Sequence, residues 1–192
     1  KDIITVNGKP LSGPEKKVYY ILNKPKGFQC SSQRPNPRAK IIMDLFAGVQ
    51  QRLFTVGRLD RLTTGLLLVT NDGEFSQKVI HPSRGLEKEY LVKTDKEITA
   101  GILKRLALGT RIENTFVKPV KVVKVRRNTV KITITEGKKH EVRLLVKSAG
   151  LQTIELKRIR LGPLTLSSNL PEGHYRSLSK GEMEQLQYQA KD

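Results

Sequence analysis

Four consecutive aliphatic residues, Leu66-Leu67-Leu68-Val69, follow Thr64-Gly65 and run into the turn Asn71-Asp72-Gly73. The run is far shorter than the ~20 apolar residues that cross a bilayer. It therefore predicts a buried strand, and 192 residues suffice to build a real core around one. Just ahead of it, Asp60 stands between Arg58 and Arg61. Opposite charges within ~4–6 Å favour the ionised carboxylate, so the segment offers a charged oxygen nucleophile or base at the end of a rigid element. Taken alone, Arg-x-Asp-Arg is more often simply an ion pair before a strand.

The rest of the chain alternates short β-prone runs with breakers. Ile3 to Asn7 reads as a strand before an Asn7-Gly8 turn, and residues 11–17 as a linker. Val18 to Leu22 is β-prone and is broken by Asn23-Lys24-Pro25-Lys26-Gly27. The prolines of Ser31 to Arg38 predict a basic loop. Glu74 to Ile80 has helical spacing behind an Asn71-Asp72-Gly73 cap, and Pro82 stops it. Lys88 to Lys93 predicts a strand, Thr94-Asp95-Lys96-Glu97 a capping box for a helix closed by Gly109. Phe116 to Val125 and Thr129 to Thr135 predict a hairpin turning at Arg126-Arg127-Asn128. A helix from His140 to Ala149, a strand from Leu151 to Arg160 bearing Lys157, Arg158 and Arg160, and a helix from Leu178 complete the series. Strands and helices in mixed order with hairpin-like links predict an α+β class, a largely antiparallel mixed sheet with flanking helices.

Lys plus Arg number 36 against 18 Asp plus Glu, a formal charge of +18. Such an excess implies a polyanionic partner, because phosphate neutralisation with counterion release drives nucleic-acid binding. A membrane surface is disfavoured, since no basic amphipathic helix is evident. The only cysteine, Cys30, excludes an intrachain disulfide and fits a reducing compartment as an ordinary thiol. His81, His140 and His174 lack metal-ligand spacing, so no metal is expected. No helix-turn-helix or zinc-finger spacing points to DNA. The chain opens at Lys1, as a fragment or a processed end would.

Residues 56 to 73, Val-Gly-Arg-Leu-Asp-Arg-Leu-Thr-Thr-Gly-Leu-Leu-Leu-Val-Thr-Asn-Asp-Gly, resemble the catalytic motif of the pseudouridine synthases, in the branch that modifies ribosomal RNA. The resemblance extends from about Val18 through Lys24-Pro25-Lys26-Gly27, Lys88-Glu89-Tyr90-Leu91-Val92 and Glu136-Gly137-Lys138-Lys139-His140-Glu141-Val142-Arg143, in the family order. It implies the pseudouridine synthase fold over residues 18–192. Residues 1–12 are similar to the tail of an S4-type RNA-binding domain, or else form a first hairpin of the main body.

The same resemblance implies a site. Asp60 falls on the catalytic carboxylate, Tyr90 on a tyrosine that stacks on the target base, and Arg143 on a basic residue that pairs with the carboxylate. Arg58 matches a group that fills the space left by the flipped base or holds phosphate; Lys24, Lys88, Lys138 and Lys139 are expected on RNA. Glu141 stands where many relatives have Gln, which tilts the expected substrate toward large-subunit ribosomal RNA. The implied reaction is isomerisation of a uridine to pseudouridine without cofactor or metal, by a monomer acting on ribosomal RNA or its precursor ribonucleoprotein in the cytoplasm or an organelle matrix. The absence of Gly-x-Gly-x-x-Gly and P-loop signatures agrees. A non-catalytic RNA-binding assembly protein of the same fold is the competing reading, which loss of Asp60, Tyr90 or Arg143 would favour.

Overall fold

A computed structural model describes residues 5–6, 9–10, 15–112 and 115–188. Strands β1 (Thr5–Val6) and β2 (Lys9–Pro10) pair antiparallel. The remainder of the expected S4-type remnant lies outside the described residues. The body is built on a nine-stranded sheet. Its first half comprises β3 (Tyr19–Lys24), β4 (Phe54–Val56) and β5 (Thr64–Thr70), then α1 (Gly73–Ile80) and β6 (Lys88–Thr94). Helix α2 (Ala100–Leu108) leads to a separate pair, β7 (Thr110–Ile112) with β8 (Thr115–Val117). Strands β9 (Lys121–Arg126) and β10 (Thr129–Ile134), helix α3 (Glu141–Ser148), β11 (Thr153–Leu161), β12 (Leu164–Thr165), β13 (Tyr175–Ser177) and α4 (Lys180–Tyr188) follow.

The strand order is β13-β3-β5-β11-β6-β10-β9, with β12 on β11 and β4 on β5. Every pairing is antiparallel except β5 with β11, which run parallel through only Thr64↔Lys157 and Gly65↔Arg158. Gly65 permits this approach. Its φ is +103°, and a Cβ there would press into the backbone of Arg158.

The aliphatic run lies in β5 and is fully buried. Alternation sends Leu66 and Leu68 to one side, with Phe75 and Val79 of α1 and Leu186 of α4. Leu67 and Val69 meet the other core, with Val92, Leu106, Leu145 and Val146. At roughly 1.5–3 kcal/mol for each fully buried large aliphatic side chain, this strand anchors both layers.

The local signals divide. Asp72 caps α1 by accepting from the Phe75 N–H, and Gly109 closes α2. The box at Thr94 does not open α2. Thr94 ends β6, its hydroxyl donating to the carbonyls of Lys96 and Asn128. Thr99 caps the helix instead, its Oγ1 accepting from the Ile102 N–H.

Candidate active site

Asp60 lies in the loop between β4 and β5, which is held from beneath. Lys24, wholly buried at the end of β3, donates Nζ hydrogen bonds to the carbonyls of Pro25, Arg61 and Thr63. The Gly27 N–H reaches the Arg61 carbonyl, the Thr63 N–H closes a turn on the Asp60 carbonyl, and the Leu59 N–H points at Cys30 Sγ. Leu59 is buried, so the chain is anchored on both sides of a carboxylate that stays about one-third exposed. Burial pushes the Lys24 amine down to about 8 and the Cys30 thiol up. Lys24 is therefore a brace for the Asp60 loop and not an RNA contact: every donor faces a backbone carbonyl.

Asp60 opens on a cleft of about 1270 Å³. Tyr90 of β6 also lines it, buried to 8% exposure. Among the described residues, its hydroxyl has no hydrogen-bond partner. Tyr90 lies in register with Ile132 of β10 and Arg158 of β11. The sheet thus presents the ring from one half and the Asp60 loop from the other.

Among the described residues, the basic side chain within 4.0 Å of Asp60 is the His140 imidazole, its Nε2 3.5 Å from Oδ1. Among the described residues neither Arg58, Arg61 nor Arg143 comes that close, so the expected flanking and motif pairs do not form. Arg143 lies on another flank of α3, in a smaller basic hollow with Asp95, Lys96 and Lys147. The reason is helical phase. Glu141, Val142, Leu145 and Val146 face inward, and Arg143 and Lys147, four residues apart, share a different flank.

His140 heads α3 in the left-handed region, φ 57° and ψ 20°, a conformation costing an L-residue roughly 1–2 kcal/mol. The turn before it is tied by Glu141, whose Oε2 accepts from the Lys138 N–H at 2.8 Å. Glu141 is buried, and desolvation raises its carboxyl above the ordinary range. The sequence carried His140 inside the motif, but not its conformation.

Lys88 is likewise turned inward. Its Nζ donates to the carbonyls of Leu86, Thr135 and Glu136, and burial lowers its pKa. Lys138 pairs with Glu136 at 2.8 Å. Of the residues expected on RNA, Arg58 and Lys139 are exposed on the cleft rim, with no carboxylate within 4.0 Å among the described residues. Arg158 was expected only as one of several strand cations, yet it is 4% exposed and lines the cleft floor. Its spacing from Leu156 on the inward face of β11 is the signal that could have found it.

The geometry joins an accessible carboxylate, a sunken aromatic ring, a buried guanidinium and a cationic rim. Such a site suits a flat base drawn from a polyanion onto a carboxylate.

Residues 18–148 match the family model described as RNA pseudouridylate synthase. An Arabidopsis thaliana chloroplast protein, named as a candidate ribosomal large subunit pseudouridine synthase, is 40% identical over 205 residues, covering 97% of this chain and 50% of that protein. Ribosomal small subunit pseudouridine synthase A of Salmonella typhimurium is 34% identical over 182 residues, covering 94% of this chain and 78% of the relative. A solved pseudouridylate synthase structure superposes with a TM-score of 0.82 at 33% identity, over 92% of this chain and 76% of the other.

Proposed function

Because the chain belongs to the RNA pseudouridylate synthase family, we propose that it converts a uridine of ribosomal RNA into pseudouridine, with Asp60 as the reacting carboxylate. The observation that carries this reading is the placement of Asp60 and Tyr90 on one cleft, the carboxylate accessible and the ring sunken.

In the reaction the N1–C1′ bond breaks, uracil turns within the cleft, and a C1′–C5 bond forms. C5 gives up its proton and N1 gains one, so atoms and electrons balance without an oxidant. Asp60 either adds to C1′ or removes the C2′ proton, and an ionised carboxylate can do both. Tyr90 stacks on the base, and His140 holds the carboxylate from the α3 side. Exposed Arg58 and Lys139 take phosphates at the rim, and Arg143 with Lys147 takes them on the flank of α3. Extrusion of the nucleotide costs a few kcal/mol, least in a loop.

Glu141 before Val142-Arg143 tilts the reading toward a large-subunit substrate; the protein is further proposed to act as a monomer, in the cytoplasm or an organelle matrix. The test is to map pseudouridines in both ribosomal RNAs from cells with and without the protein. One position lost on deletion, and regained with the wild-type chain but not with Asp60→Asn, is expected. An unchanged map would overturn the proposal.

A further inference from the structure

Arg158 spends one donor inside the protein and keeps another in reserve. Its Nε gives a 2.7 Å hydrogen bond to the Leu66 carbonyl, fastening β11 to β5. Its Nη2 is buried and has no partner among the described residues. A guanidinium is charged at any working pH, and a buried charged donor left unpaired is costly and rare. Among the described residues, no carboxylate lies within 4.0 Å to absorb it. The neighbouring Lys88 feels the same positive charge, which adds to burial in lowering its pKa. The floor of the cleft is therefore short of a negative partner.

Its position says which partner. Arg158 and Tyr90 are paired directly across β11 and β6. Side chains so paired leave the same face of a sheet with their Cβ atoms ~4.5–5.5 Å apart, and both residues line the cleft. A ligand on the Tyr90 side of this cleft therefore has Arg158 as its neighbour across the two strands. A phosphodiester does not suit this place, because Arg158 is 4% exposed while free cations stand at the rim.

We propose that Arg158 Nη2 donates a hydrogen bond to a carbonyl oxygen of the uracil stacked on Tyr90. This rests on the isomerase reading above and adds a base-gripping group to it. As N1–C1′ breaks, the departing uracil gains negative charge on its carbonyl oxygens. A fixed donor aimed there strengthens in the transition state and keeps the freed base in place while it turns. Gly65 serves the same end, since only its missing side chain allows β5 close enough to hold the Nε.

The test compares sulfur-substituted substrates with Arg158 variants of the full 192-residue chain. Unmodified transcripts of both ribosomal RNAs are made with uridine, 2-thiouridine or 4-thiouridine, and single-turnover rates are read at saturating RNA by chromatographic nucleoside analysis. Sulfur is a poor acceptor, so the wild type should slow about tenfold at one of the two positions, the value of roughly one hydrogen bond. Arg158→Gln should lose about 100-fold with uridine, bind RNA within about threefold of wild type, and no longer respond to sulfur at that position. Arg158→Lys, which can keep the bond to Leu66, serves the same comparison if Arg158→Gln does not fold. A wild-type rate in either variant, or equal sulfur effects in variant and wild type, overturns the proposal. So does a wild type indifferent to sulfur at both positions, a result that needs no variant. If the wild type makes no pseudouridine in the uridine transcripts, the isomerase reading falls and takes this inference with it.

Discussion

Oδ1 of Asp60 stands 3.5 Å from Nε2 of His140, and among the described residues no arginine side chain comes within 4.0 Å of that carboxylate. The carboxylate proposed to react is thus accessible on the cleft side, beside an imidazole whose residue lies in the left-handed region. Asp60→Asn should reduce pseudouridine formation below detection, with RNA affinity within about threefold because nearly all the positive field remains. Activity within about tenfold of wild type would remove Asp60 from the reaction.

Arg143 sits apart from Asp60 with Lys96 and Lys147. Arg143→Ala should weaken RNA binding by up to about tenfold and leave the single-turnover rate at saturating RNA unchanged, as expected of a phosphate contact. Arg143→Lys should restore affinity, since phosphate tolerates a point charge. A fall in the saturating rate at normal affinity would mean that Arg143 reaches Asp60 once RNA is bound.

On the proposed function, a chain of charge +18 holds its RNA largely through phosphates. The observed association constant should fall steeply as salt rises, its logarithm linear in log salt, with a slope of about −0.7 per phosphate neutralised on single strands. Arg58→Ala and Lys139→Ala should each flatten that slope. A salt-independent dissociation constant would contradict the electrostatic reading.

Burial holds the Glu141 carboxyl above its ordinary 4.5. With a raised folded-state pKa, the native protein binds the proton more tightly than the unfolded chain does. The group's stabilisation is therefore complete below about 4.5 and is lost as pH climbs through the folded value. Glu141→Gln keeps an acceptor for the Lys138 N–H and cannot ionise. It should raise the Tm at pH 7 and leave it unchanged near pH 4, by calorimetry. Equal shifts at both pH values would detach the effect from titration.

Gly65→Ala should cost on the order of 3 kcal/mol or more, because the new methyl meets the Arg158 backbone at a φ of +103°. Gly48→Ala, with nothing within 4 Å of the added carbon, should stay within about 0.5 kcal/mol. Urea unfolding of the two variants checks the contrast.

What the sequence conveyed was local or carried by motif order. The strand at Leu66 to Val69, the Asp72 cap and the shared cleft of Asp60 and Tyr90 follow from runs, turns and the order of matched segments. Side-chain direction was not legible. A lysine looks the same whether it meets a phosphate or a backbone carbonyl, so Lys24 and Lys88 could not be told from rim cations until their tertiary acceptors were in place. The sequence puts the cap at Thr94, and only the bonds of Thr94 to Lys96 and Asn128, with Thr99 accepting from Ile102, show that the helix is capped five residues later. Arg143 was read from its motif, whereas helical phase carries it to another flank. The parallel pairing of β5 with β11 joins residues more than ninety apart and has no local signature.

That parallel pairing also orders events in time. On either side of it lie antiparallel groups, β3 with β4 and β5 on one side and β6, β9, β10 and β11 on the other, within which β4–β5 and β9–β10 are links close in sequence. Two register pairs and the side-chain hydrogen bonds of Arg158 to the Leu66 carbonyl and of Thr64 to the Leu156 carbonyl join β5 to β11, across more than ninety residues of sequence. Loop-closure entropy makes so distant a contact slow to form. Asp60 and Tyr90 stand on opposite sides of the junction, so neither group holds a working site alone. Catalytic competence should therefore emerge at the end of refolding, lagging behind the recovery of secondary structure.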